Sequence, residues 1–333
     1  MGRAGAVTSQ PMRAPDRPAP LAFGLMIAAM VLIPLGDSAG RVLTGGMGGV
    51  ETVGSGFVAW SRFALAALVL LLAMPGGMRA EALRLMADGR VWLRGALLAG
   101  TIWAVLTALG RAEMATVFGA FFVGPMLSAA LAVVLLGERM GRGQALCLLA
   151  GFGGVLMVLR PWQGAGLLDG LEPGVGFGLL AGLCYGAFLT ASRWLAGRAR
   201  PLPLLWSQFA VGALLLAPVG VVAWPATLAS DGRVAALTAA SAAASLAGNL
   251  ALLLAYRRAG AARLAPLVYV QLVAATALGW LLFAEWPEPW VLGGLGVVIA
   301  AGVGGWLLVP AERGRVEPGA GVRGRGRAWW RGG

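Results

Sequence analysis

Ten apolar runs, most of them about twenty residues long, follow one another along this chain with short polar breaks between them. That spacing constrains the fold more than any motif. About 20 residues of helix cross the roughly 30 Å of bilayer hydrocarbon, and backbone polar groups in lipid are satisfied only inside helices or closed barrels. The runs are Leu21–Leu43, Gly54–Met74, Val91–Leu109, Glu113–Leu136, Gln144–Leu159, Gly174–Ser192, Pro203–Trp224, Val234–Tyr256, Ala261–Ala284 and Trp290–Val309. Hydrophobic residues make up 59% of the 333 and charged residues only 12%, where a soluble domain carries about 25% charge. The expected fold is an all-α polytopic membrane protein with ten transmembrane helices.

Every basic side chain is an Arg, and His is absent. A Walker-type phosphate loop lacks its Lys here, and zincin motifs and Ser-His-Asp triads lack their His. No catalytic residue, metal or cofactor is expected. Cys147 and Cys184 fall inside apolar runs and read as small buried hydrophobes. The net charge of +12 reports topology rather than nucleic-acid binding. With the N-terminus inside, 21 Arg fall on the cytoplasmic side, 4 outside and one, Arg62, within a span. The positive-inside rule therefore puts both termini in the cytoplasm. Residues 1–20 and 311–333 read as disordered basic cytoplasmic tails.

The chain repeats itself. Trp60-Ser61-Arg62-Phe63-Ala64 returns as Trp206-Ser207-Gln208-Phe209-Ala210. Ala39-Gly40-Arg41 aligns with Ala191-Ser192-Arg193, Gly137-Glu138 with Ala284-Glu285, and Pro161 with Pro310. Two five-span halves follow, 21–161 and 174–310. Five is odd, so the second half enters from the opposite side, as in the inverted repeats of secondary transporters.

With Trp-Ser-Arg-Phe opening the second span, Gly137-Glu138-Arg139-Met140 after the fourth and Pro125 upstream of it, the chain resembles the EamA-type carriers of the drug/metabolite transporter superfamily. Pro34-Leu35-Gly36-Asp37-Ser38-Ala39-Gly40 is similar to members of that group too. The resemblance covers Leu21 to Val309. It implies bacterial inner-membrane transport of small metabolites, with a central cavity lined by spans one, three and four and their mates six, eight and nine. The second half departs from the first where Gln208 replaces Arg62 and Trp286-Pro287 replaces Arg139-Met140.

Polar residues at depth are the candidate site. An Arg at the centre of a span costs at least about 2.5–3.5 kcal/mol, so Arg62 calls for a partner or a water-filled cavity. One reading is a structural pair with Asp37 or Glu113. The other is a gating or anion-binding charge. Asp37 and Glu113 are also the candidate proton-coupling groups. Trp103, Phe121, Phe122, Tyr185, Asn249, Tyr269 and Gln271 lie near the midplane, where rings and amides suit a flat or zwitterionic substrate. Gly151, Gly153 and Gly154 in the fifth span and Gly293, Gly294 and Gly296 in the tenth should allow close helix approach. Pro34, Pro125, Pro218 and Pro266 should kink their spans.

The expected function is export of amino acids or related compounds by alternating access, in the bilayer and without nucleic acid. Uptake of a vitamin or nucleoside-like metabolite is the alternative within transport, and a membrane assembly or sensor protein is the alternative outside it.

Overall fold

The structure, a computed structural model, describes residues 20–136, 141–160, 173–195, 199–259 and 264–308. Both tails, Gly137-Glu138, Arg139-Met140, Pro161 and Pro310 lie outside the described residues, as do the side chains of Arg193 and Pro266. All regular structure among the described residues is helical. In order come α1 (Pro20–Gly45), α2 (Ser55–Ala73), α3 (Gly76–Leu85), α4 (Gly89–Leu109), α5 (Met114–Phe121), α6 (Val123–Leu136), α7 (Arg142–Leu159), α8 (Pro173–Trp194), α9 (Pro201–Val222), α10 (Gly232–Arg258), α11 (Val270–Phe283) and α12 (Pro289–Leu307). A 3₁₀ turn, Ala265–Tyr269, leads into α11. Among the described residues nine helices are long and apolar enough to cross a membrane, and Leu267–Phe283 is a shorter apolar one. The chain is a multi-pass membrane protein.

Two departures from the sequence reading have local causes. The fourth span is broken at Phe122 into α5 and α6. Pro125 has no N–H for the carbonyl of Phe121, so the ladder cannot run through. The second departure is α3, an extra short helix between the second and third spans. It is too polar to stand out as an apolar run and buries only Ala82. By contrast Pro34 and Pro218 lie inside continuous helices.

Consecutive spans alternate in direction. At one end of the bundle, here the far end, Arg160 pairs with Glu288, and Arg233 reaches the carbonyl of Gly48. At the near end Glu81 meets Arg200, 3.0 Å apart. Thus α1 starts at the near end and α8 at the far end.

Packing is dominated by contacts between the halves: α1 with α10, α4 with α8, α2 with α9, α7 with α12. Numbering the spans one to ten and exchanging each with the span five places on maps this pairing onto itself. One–eight becomes six–three, while two–seven and five–ten are their own images. Phe57, Phe63 and Phe209 centre one buried cluster, and Met114, Phe118, Phe122 and Leu272 another. Trp206 is buried here and donates its indole N–H to the Ala67 carbonyl at 2.9 Å, so it is a packing residue and not part of an interfacial belt. On the outer surface Val222 is 89% exposed; such apolar side chains on packed helices face lipid.

Small residues set the closest helix contacts. A Cβ on Gly154 would stand 2.8 Å from the Gly294 carbonyl, and one on Gly294 2.7 Å from the Gly154 carbonyl. These two glycines are where α7 and α12 touch backbone to backbone. Gly153 and Gly296 have open space instead.

Candidate functional site

Arg62 lies seven residues into α2 and is 2% exposed. Its Nη1 donates to Asp37 Oδ1 at 2.5 Å, its Nη2 to the Gly36 carbonyl at 2.6 Å and its Nε to Ser241 Oγ at 2.8 Å. Ser241 Oγ in turn donates to the same Gly36 carbonyl at 3.0 Å. The charge is thus tied to α1 and α10 at once. Gly40 makes room for it: a Cβ there would sit 2.7 Å from Nη2 and 2.4 Å from Leu106. Of the two proposed partners, the structure gives Arg62 Asp37. Glu113 is exposed at the start of α5.

Arg62 and Asp37 also line a cavity of about 310 Å³ between the halves. Among the expected site residues Phe121, Tyr185, Asn249 and Gln271 line it as well. Phe121 and Tyr185 lie 4.8 Å apart, and Tyr185 stacks on Phe188 at 6.0 Å, making an aromatic wall. Asn249 donates to the Ser245 carbonyl one turn back. Gln208, the counterpart of Arg62 in the repeat, lines the cavity with its Oε1 buried and without a hydrogen-bond partner among the described residues.

Four expected residues stand away from this cavity. Glu113 is one. Trp103 packs edge-on against Phe177, 6.1 Å away. Phe122 is buried against Tyr269, 5.5 Å between rings, and the Tyr269 ring occupies the space that a side chain on Gly302 would need. Those aromatics serve packing.

The cavity is graded along the bundle. Arg94, Ser192, Leu205, Leu253 and Tyr256, all lining residues, lie within five positions of the near ends of their helices. Tyr256 is 42% exposed, whereas Gln271 deeper in is 6% exposed. Towards the far end the lining stops at Val105 and Phe118. One turn beyond Phe118 is Met114. Its N–H donates to Glu285 Oε2 at 3.1 Å, and Ser38 Oγ approaches its sulfur at 3.5 Å. Arg41 forks onto Glu285, with Nη1 to Oε2 at 2.6 Å and Nη2 to Oε1, and its guanidinium lies 4.5 Å over the Phe283 ring. Ser55 and Thr107 hydroxyls meet at 2.8 Å at the same end.

Arg41 and Arg94 correct the charge reading. The charge count places Arg41 with the outside Arg and Arg94 with the cytoplasmic ones, leaving Arg62 as the one within a span. Both are in fact buried within helices, at 5% and 9% exposure, because each has a partner set in the other half. The sequence offered a signal for Arg41, since its motif aligned between halves. Nothing marked Arg94, which stands among other near-end Arg residues.

A multi-pass helical bundle with a cavity between its halves, closed at one end, has the form of a small-molecule carrier. Residues 172–304 match the model of the EamA-like transporter family. That family is one of membrane transporters, part of the drug/metabolite transporter superfamily, and the match runs from the start of α8 into α12. The crystal structure of another protein, 18% identical, aligns at a TM-score of 0.58 over 88% of this chain and 98% of that one, a likeness of fold. No curated protein sequence matches the chain.

Proposed function

We propose that this protein is a secondary carrier of the bacterial inner membrane. It moves amino acids or related small organic compounds outward by alternating access, with both termini cytoplasmic. The observation that carries this reading is the graded cavity, exposed at the near end and roofed at the far end by Met114, Arg41 and Glu285. The exchange symmetry of the helix pairing supports it, because halves related by inversion can rock about a central site. The near end is the cytoplasmic one on the Arg bias, so this state faces inward.

Membrane-impermeant maleimide tests the reading. In a background lacking Cys147 and Cys184, Gln271→Cys in oriented vesicles should label from the cytoplasmic side. In the same background Arg41→Gln should add labelling from outside. Labelling from neither side would overturn the reading, and so would simultaneous access from both sides in the otherwise unaltered carrier. A thermal-shift screen of metabolites then finds the cargo, since ligands of the folded state raise its stability.

A further inference from the structure

Among the described residues three charged side chains line the cavity: Asp37, Arg62 and Arg94. The first two cancel, bonded to each other at 2.5 Å. Arg94 is left. It is 9% exposed, and its Nε donates to Ser192 Oγ at 2.9 Å and its Nη1 to the Leu204 carbonyl at 3.2 Å. Both partners are neutral. Its Nη2 has no hydrogen-bond partner among the described residues, and its guanidinium lies 4.9 Å from the centre of the Phe188 ring. The aromatic wall of Phe121, Tyr185 and Phe188 therefore ends on a cation.

Resting on the carrier reading, we propose that Arg94 is the anion anchor of the transport site and that the cargo is a carboxylate with a flat apolar body. A desolvated cation without a counter-ion is expensive, and a bound carboxylate supplies the missing charge. The guanidinium fork, oriented by Ser192 and Leu204, presents free N–H groups suited to carboxylate oxygens. The body of the cargo would lie along Tyr185 and Phe188, with the side chain of Gln271 available to its polar edge. Arg62, each of whose three guanidinium nitrogens donates to protein and whose charge is met by Asp37, is not the anchor.

Electrostatic labelling tests this without knowing the cargo. Leu189, a lining residue on α8 one turn from Ser192, is replaced by Cys in the background lacking Cys147 and Cys184. Methanethiosulfonates bearing a sulfonate or a trimethylammonium group are compared, each normalised to its rate with a simple thiol in solution. The anionic reagent should be favoured by about tenfold or more, and Arg94→Gln should abolish the preference. No anion preference overturns the proposal, as does a preference that survives Arg94→Gln. Reaction with neither reagent rejects the water-filled cavity, and with it the carrier reading.

The unaltered protein gives a second measurement, independent of how Arg94→Gln folds. Indole-3-acetate should raise its melting temperature more than indole-3-acetamide or tryptamine. No shift with the acid, or an equal shift with the amide or amine, overturns the anchor while leaving the carrier reading standing.

Discussion

The Arg62–Asp37 pair shows why a charge inside a span need not be a transport charge. Its guanidinium is satisfied by a carboxylate, a carbonyl and a hydroxyl, all buried. Removing one member of such a pair leaves the other uncompensated, a cost of about 3–5 kcal/mol. Asp37→Ala should therefore lower thermal stability in detergent markedly. The double change Asp37→Asn with Arg62→Gln should recover most of that loss, because Gln208 already occupies the matching place in the second half. Gly40→Ala should imitate the single change by pushing the guanidinium aside, read in the same melting assay. The need for a partner at Arg62 was legible in the sequence from its depth alone. The partner's identity was not, since Asp37 and Glu113 share an end of the membrane and only the helix packing separates them. Arg94 was illegible for the opposite reason: near-end Arg residues are expected at an interface, and only the tertiary structure shows this one turned inward.

Helices were legible in proportion to their apolarity. Among the described residues nine of the ten apolar runs are helices of spanning length and the ninth run holds a shorter helix, Leu267–Phe283; the polar α3 and the break at Phe122 lie outside that pattern. Small-residue content, in contrast, does not separate contact from open space. Gly154 and Gly294 face each other across α7 and α12, while Gly153 and Gly296, equally glycine in sequence, face nothing within 4 Å. The direction a glycine faces follows from how the two helices cross. Gly294→Val should accordingly destabilise the protein by about 1–3 kcal/mol through overpacking, whereas Gly296→Ala should leave the unfolding midpoint unchanged or slightly raised, both measured by thermal denaturation in the same detergent.

Across the whole molecule, the roof over the cavity joins the two halves through Arg41 and Glu285. The two motifs that contain them had been aligned as markers of the repeat, and the structure brings one of each together. Their counterparts, Arg193 and Glu138, are not both described. Opening the Arg41–Glu285 fork should shift the carrier towards its other face. Arg41→Gln is expected to raise far-side labelling of Ser38→Cys about tenfold, equivalent to about 1.4 kcal/mol, and unchanged labelling would show that the fork is not what holds this end shut. The pairing of charges also has a consequence for how the chain is made. Asp37 and Arg62 lie 25 positions apart and can meet as soon as the second span leaves the ribosome. Arg41 must wait for Glu285, 244 positions later, through the synthesis of seven more spans. During that interval the first half sits in the bilayer with most of its partner surfaces still untranslated. Until then the Arg41 charge lacks the carboxylate that neutralises it in the folded bundle, a delay the finished structure no longer displays.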